Sequence, residues 1–310
     1  MTGTKAAGAT PVARGRRSPL FEFLSRLRRE KPLGAVAGTI VLLMLLIGIF
    51  ADFLAPYGMN DLNLRDRLTP PSWKYLLGTD QLGRDVLSRI IFSARTSMII
   101  GLSGAAISVV VATLIGMTGF VGGKLDLIAQ RVVDAWMAFP GLLVLITVMS
   151  MLGKGALQVI IVLGIVGGIG NSRVARSAVM VIRENLYITA AEAIGCSRSR
   201  TIRIHVLPNL MAPMIVIFTI NLGWVIVTEA ALGFLGLGMP PDVATWGGML
   251  SWEGRRYMEQ VPGLALWPGF TLSIVVWAIN MFGDALRDLL DPRLRGNVGR
   301  FGLSKKPKKK

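Results

Sequence analysis

Cysteine and histidine are nearly missing from this 310-residue sequence, which holds only Cys196 and His205. One cysteine excludes an intrachain disulfide and leaves the redox compartment unstated. Cys196 reads as a small loop residue, with a reactive thiol as the minor alternative. One cysteine and one histidine cannot make a Cys/His metal cluster, so no metal site is expected. No G-x(4)-G-K-[ST] occurs, so the chain has no recognisable phosphate cradle for ATP. No nucleophile–base pair stands out, and no catalytic residue is assigned. Charge is also scarce: 17% of residues are charged, against about 25% in a soluble domain.

What is present is long apolar sequence. Mean hydropathy is +0.57. Uncharged runs occupy 32–51, 96–123, 135–153, 155–172, 204–228 and 260–283. A span needs roughly 20 apolar residues to cross a ~30 Å hydrocarbon core. The chain therefore reads as an all-α polytopic membrane protein with six transmembrane helices. Runs three and four are joined by a short hairpin at residues 153–155. The first run is long enough to span and no convincing cleavage site follows it, so it reads as a span rather than a leader.

The net charge of +16 would suggest nucleic acid on a soluble protein. Here its placement points to the bilayer, and no nucleic-acid partner is expected. With six spans, 25 basic residues fall on the side of the two termini and 9 on the other. The positive-inside rule then makes both termini cytoplasmic.

The expected organisation has four parts. Residues 1–33 form a basic N-terminal segment, in which Leu20, Phe23, Leu24 and Leu27 share a helical face that either lies in the headgroup layer or is solvated. Residues 34–95 hold the first span and an outer loop. Residues 96–286 hold the core, with a polar cytoplasmic loop at 187–209. Residues 287–310 form a basic tail, in which Asp284 and Asp288 just before and within it can pair with Arg287 or other basic residues.

Several residues carry local signals. In the outer loop, Thr79 or Asp80 can cap a helix whose Val86, Leu87, Ile90 and Ile91 face apolar surroundings while Arg84, Asp85 and Arg89 face water. Gly101 with Ala105, and Gly164 with Gly168, have the spacing that lets helix backbones approach closely in lipid. Pro140 should kink the third span near Asp134. Glu229 is an intramembrane carboxylate, costing roughly 2.5–3.5 kcal/mol on insertion scales. It can fix the end of span five by accepting hydrogen bonds, line a solute path, or carry a proton. Trp246 and Trp252 suit a membrane interface or an external partner.

The loop at 187–209 organises the rest. Ala190, Ala191, Glu192 and Ala193 favour helix, Gly195 can stop it in a left-handed conformation, and Ser197 can start a second helix by accepting a backbone N–H. Pro208 should end or bend that second helix. Two short helices around a glycine elbow are expected.

This loop resembles the E-A-A-x(3)-G-x(9)-I-x-L-P segment of ABC-importer permeases, with Ala190, Ala191, Gly195, Leu207 and Pro208 in register. Thr189 stands where that pattern has Glu, and His205 where it has Ile. Residues 77–89, LGTDQLGRDVLSR, resemble the signature of the second permease subunit of dipeptide, oligopeptide and nickel importers, carried here by Gly78, Thr79, Asp80, Gly83, Arg84, Asp85 and Arg89. Further matches are D-x(3)-A-F-P from Asp134, T-E-x-x-L-x-F-L-G-L-G around Glu229, P-x(4)-W-G-x-M-L through Trp246 and Met249, and G-D-x-L-R-D-x-L-D-P-R-L-R at the end.

The resemblance implies a type I ABC importer permease fold in a prokaryotic plasma membrane. It also implies a second homologous permease, two P-loop ATPase subunits docking on Thr189, Ala190, Ala191, Glu192, Gly195, Leu207 and Pro208, and an extracytoplasmic solute-binding protein meeting Trp246, Met249 and Trp252. ATP and magnesium would sit on the ATPases, and this chain would need no cofactor. Peptides are the first cargo and nickel or another small solute the second. A proton-coupled secondary transporter using Glu229 is the rival from another class, and a non-transporting scaffold a further one.

Overall fold

A computed structural model describes residues 19–251 and 256–290. Among these residues the regular elements are helical, apart from one isolated antiparallel bridge between Thr79 and Asp85. An amphipathic helix α1 (Pro19–Glu30) precedes the first span, α2 (Pro32–Ile49), and a single turn, α3 (Ala51–Leu54). Leu27 of α1 is buried, whereas Phe21 and Leu24 are exposed. The side chain of Leu20 lies outside the description. Lys31, at the junction, pairs with Asp288 at 2.5 Å and so ties the first span to the last.

The core begins with α4 (Val86–Gly116) and α5 (Thr118–Val121). The expected second span at 96–123 thus starts ten residues earlier, because Asp85 caps the helix, its Oδ2 accepting from the Ser88 N–H at 2.8 Å. Neither Thr79 nor Asp80 is the cap. Next come α6 (Gly123–Met137), α7 (Gly141–Leu152) and α8 (Ala156–Arg183). The expected third span at 135–153 is not one helix. The chain breaks at residues 138–140 and turns by 88° between α6 and α7. Pro140, at φ −59° and ψ 120°, precedes α7 rather than bending a continuous helix.

After α8 the chain forms α9 (Leu186–Ala193) and α10 (Arg198–Thr201). A π-helical turn (Ile202–Val206) leads directly into α11 (Leu207–Phe234). The second short helix therefore does not end at Pro208. It continues into the span as a single 37-residue helix, Arg198–Phe234. The wide π turn gives room for the Pro208 ring, and the Asn209 side-chain amide donates to the His205 carbonyl at 2.7 Å. A short turn, α12 (Trp246–Met249), and the last span, α13 (Gly263–Leu290), complete the described chain. Among the described residues five helices are long and apolar enough to cross a membrane, and the α6–α7 pair makes a sixth if counted as one broken span.

The helices pack through small residues. A Cβ on Gly164 would lie 2.6 Å from Ile107, and one on Gly168 2.5 Å from Val111, so α4 and α8 meet nearly backbone to backbone. Gly101 lets Ile226 and Leu222 of α11 approach α4 in the same way. Without a hydrophobic drive between helices in lipid, this close dispersion contact holds the bundle together.

Candidate functional site

One end of the bundle carries the glycine elbow. Gly195 has φ +81°. Its N–H donates to the Glu192 carbonyl at 3.0 Å, and the Cys196 N–H reaches back to the Ala191 carbonyl at 3.0 Å. This pair of bonds satisfies the last carbonyls of α9 and turns the chain sharply. Ser197 begins the next helix by position but makes no side-chain cap.

The elbow has an inner and an outer face. Ile188, Ala191, Thr201 and Val206 are buried. Ile188 and Val206 belong to one core with Ala175, Val179 and Ile182 of α8 and Leu210 of α11. Thr189, Ala190, Glu192, Gly195 and Pro208 are exposed, and Leu207 is half-buried. Ala191 is therefore a packing residue, while the others of the expected docking set are available to a partner. The sequence reading missed Leu186 and Ile194, which are 87% and 86% exposed. Two large apolar side chains, one just before the polar, basic loop and one inside it, were the available signal.

At the other end, residues 55–85 fold into a compact lobe. The Asp66 carboxylate accepts from Asn63 Nδ2 at 2.7 Å, Lys74 Nζ at 2.6 Å and the Tyr75 hydroxyl at 3.0 Å. The hydrogen bond from Lys74, then that from Tyr75, holds its carboxyl below the usual carboxylate range. The Thr79 hydroxyl donates to the Asp66 carbonyl. At Gly83 and Gly78 a Cβ would strike the carbonyls of Asn63 and Thr69 respectively.

Arg84, Asp85 and Arg89 do not face water. They are 7%, 3% and 5% exposed. Arg84 Nε donates to Asp80 Oδ2 at 2.6 Å, and the other oxygen of Asp80 accepts from the Leu82 and Arg84 N–H groups. The charges turn inward because the lobe supplies partners that an isolated amphipathic helix lacks. Arg89 also donates to the Met59 carbonyl at 3.3 Å.

Trp246 is likewise buried, at 0% exposure, with its indole N–H donating to the Ile90 carbonyl at 3.3 Å. It is neither an interface anchor nor an exposed contact. Met249 is half-buried, and Trp252 lies outside the described residues. A cavity of about 440 Å³ brings Asp80, Arg84 and Arg89 together with Thr245, Met249 and the Lys154 hairpin.

Glu229 is 1% exposed. Ser97 and Thr245 face it, yet neither carboxylate oxygen has a hydrogen bond of good geometry among the described residues. These two hydroxyls are the groups from which it would accept hydrogen bonds in fixing the end of span five. Asp134 lies on α6, half-exposed, with Arg173 Nη2 at 2.6 Å. Among the described residues no group of three His, Cys, Asp or Glu side chains is placed to hold a metal.

Residues 108–296 match the family of binding-protein-dependent transport system inner membrane components. The chain belongs to this family of membrane permeases. Residues 18–71 also match the N-terminal transmembrane domain of oligopeptide transport permease C. The permease is 40% identical to a di/tripeptide transport system permease of Pseudomonas aeruginosa, over 90% of this chain and 93% of that protein. It is 36% identical to a glutathione transport permease of Pectobacterium atrosepticum, over 94% of this chain and 98% of the relative. It is 35% identical to an oligopeptide transport permease of Bacillus subtilis, over 94% and 95%. The fold is shared with the MetNI methionine ABC transporter in an inward-facing form, at a TM-score of 0.52 and 16% identity, covering 66% of this chain and 96% of that one. The permease is thus a multi-pass, type I ABC-importer membrane subunit.

Proposed function

We propose that this permease forms, with a second homologous permease, the path of an ATP-driven importer of short peptides. The observation that carries the reading is the elbow. A rigid, hydrogen-bonded turn at Gly195 presents Leu186 and Ile194 to a partner, and its other face is packed into the ends of α8 and α11. A push on the elbow therefore moves two spans. The chain lacks a nucleotide cradle of its own, and switching a two-state path from 1:99 to 99:1 requires ~5.5 kcal/mol of discrimination. Two P-loop ATPase subunits, holding ATP and magnesium, supply that energy in trans. A solute-binding protein delivers cargo at the opposite face, near the outer lobe. The elbow and both termini face the cytoplasm by the distribution of basic residues.

Peptide cargo is supported by the relatives, which are named for di- and tripeptides, glutathione and oligopeptides. Nickel chelates are the second reading of cargo. Uptake of labelled dipeptides, longer peptides and nickel by the purified whole complex decides it. ATP-dependent peptide uptake is expected, and uptake of nickel alone would overturn the assignment of cargo.

A further inference from the structure

Helix α6 is attached to the bundle chiefly by charge, with apolar contact confined to Val133 and Trp136 near its end. Of its 15 residues only Val133 is buried, while Leu125, Leu127, Ile128 and Val132 are 53–61% exposed. Arg176 of α8 grips Asp126 with two parallel bonds, Nε to Oδ1 at 2.8 Å and Nη2 to Oδ2 at 2.6 Å. Arg173, one turn earlier on α8, holds Asp134 at 2.6 Å. Arg183 donates to the Gly119 carbonyl at 3.2 Å, just before α6.

Both ends of α6 are joints. Gly122 and Gly123 enter it at φ +70° and +65°, and the 88° break at residues 138–140 leaves it. Helix α8, by contrast, runs almost directly into α9 and shares its core with the elbow. Elbow and α8 are therefore one packed body, whereas α6 follows that body mainly through two ion pairs. A bidentate pair fixes register as well as distance, which a sliding apolar contact does not. Asp126 and Arg176 have side chains 15% and 32% exposed, against 46% and 50% for Asp134 and Arg173. The first pair is thus the stronger, since solvent screens the second.

We infer that Asp126–Arg176 and Asp134–Arg173 are positioning pairs that carry motion of the elbow to α6, whereas α7 packs on α8 directly through Leu145 and Met149. This rests on the coupling role proposed above. The test uses the complete complex in vesicles and measures peptide taken up per ATP hydrolysed. A wild-type complex without ATP-driven uptake would sink the coupling role itself. With an active wild type, the variants bear on the ion pairs alone. Asp126→Asn is expected to lower uptake per ATP roughly 2- to 30-fold, the range for a change within a coupling network, with complex yield and ATP hydrolysis retained. Exchanging the partners, Asp126→Arg with Arg176→Asp, should restore most of the ratio. Asp134→Asn should act in the same direction but more weakly, and it serves where Asp126→Asn lowers yield. Unchanged uptake per ATP in both Asn variants would overturn the inference. So would a loss of yield alone that the exchange repairs, because that describes a purely structural pair.

Discussion

Gly195 makes the elbow with its backbone alone. Its φ of +81° costs an L-residue about 1–2 kcal/mol, and its N–H closes α9. Gly195→Ala keeps the N–H and should reduce uptake partially. Gly195→Pro cannot reach that φ and removes the donor, so uptake should be lost while the amount of chain in the membrane is unchanged. Normal uptake in the Pro variant would remove the elbow from the mechanism. Glu229 separates the permease reading from the proton carrier. Glu229→Gln keeps size and polarity but cannot exchange a proton, and ATP-driven uptake in the whole complex should persist. Its loss, with ATPase subunits still bound, would favour the carrier. Single residues were legible where local chemistry decides them. Gly195 follows good helix formers, and the stop can be read directly. Trp246 was not legible, because an aromatic preference for interfaces cannot say whether the neighbouring helix offers a carbonyl, as Ile90 does.

At the scale of elements, the lobe at residues 55–85 and the start of α4 depend on buried charge. Removing one partner of a buried ion pair costs about 3–5 kcal/mol where the other charge is stranded; here Arg89 Nε stays 3.9 Å from Asp80 and softens the loss. Arg84→Met should therefore lower the thermal stability of the detergent-solubilised permease, by less than that full amount, and Asp80→Asn should cost more because it takes a partner from both Arg84 and Arg89. No change in the melting temperature would show that the pair is not buried as described. The Asp66 clip has a defined pH dependence. Its folded pKa lies below the ordinary value of 3.8, mainly through the hydrogen bond from Lys74. The contribution is complete above about that value and fades as pH falls through the lowered folded one. Proteolysis of the lobe by an acid protease should accelerate in that window and much less so at pH 5. Asp66→Asn should cleave readily at both. Sequence periodicity found the helices but not their joints. It placed Arg84, Asp85 and Arg89 in water because it saw one amphipathic helix without the loop that folds over it. It left Pro208 as either an end or a bend, because a π turn that absorbs a proline leaves no pattern in sequence. It saw Pro140 as a kink, but an 88° turn depends on how α6 is held to α8.

The described residues form a bundle of closely packed spans with an ordered lobe, residues 55–85, at one end and a rigid elbow at the other. Five of the six expected spans and the elbow's place along the chain were legible, since they follow from long apolar runs and from a glycine after good helix formers. The ionic attachment of α6 was not, because Asp126 and Arg176 are 50 residues apart. The central claim is that the elbow faces the cytoplasm and is gripped there by an ATPase. Cys196, the sole cysteine, sits beside Gly195 and is partly accessible. The most direct measurement is labelling of Cys196 by a membrane-impermeant maleimide in vesicles of known orientation, with and without ATPase subunits. Labelling only in inside-out vesicles, slowed when the ATPases are bound, is the predicted result. Labelling from the outer side, or a rate indifferent to the ATPases, would contradict the account.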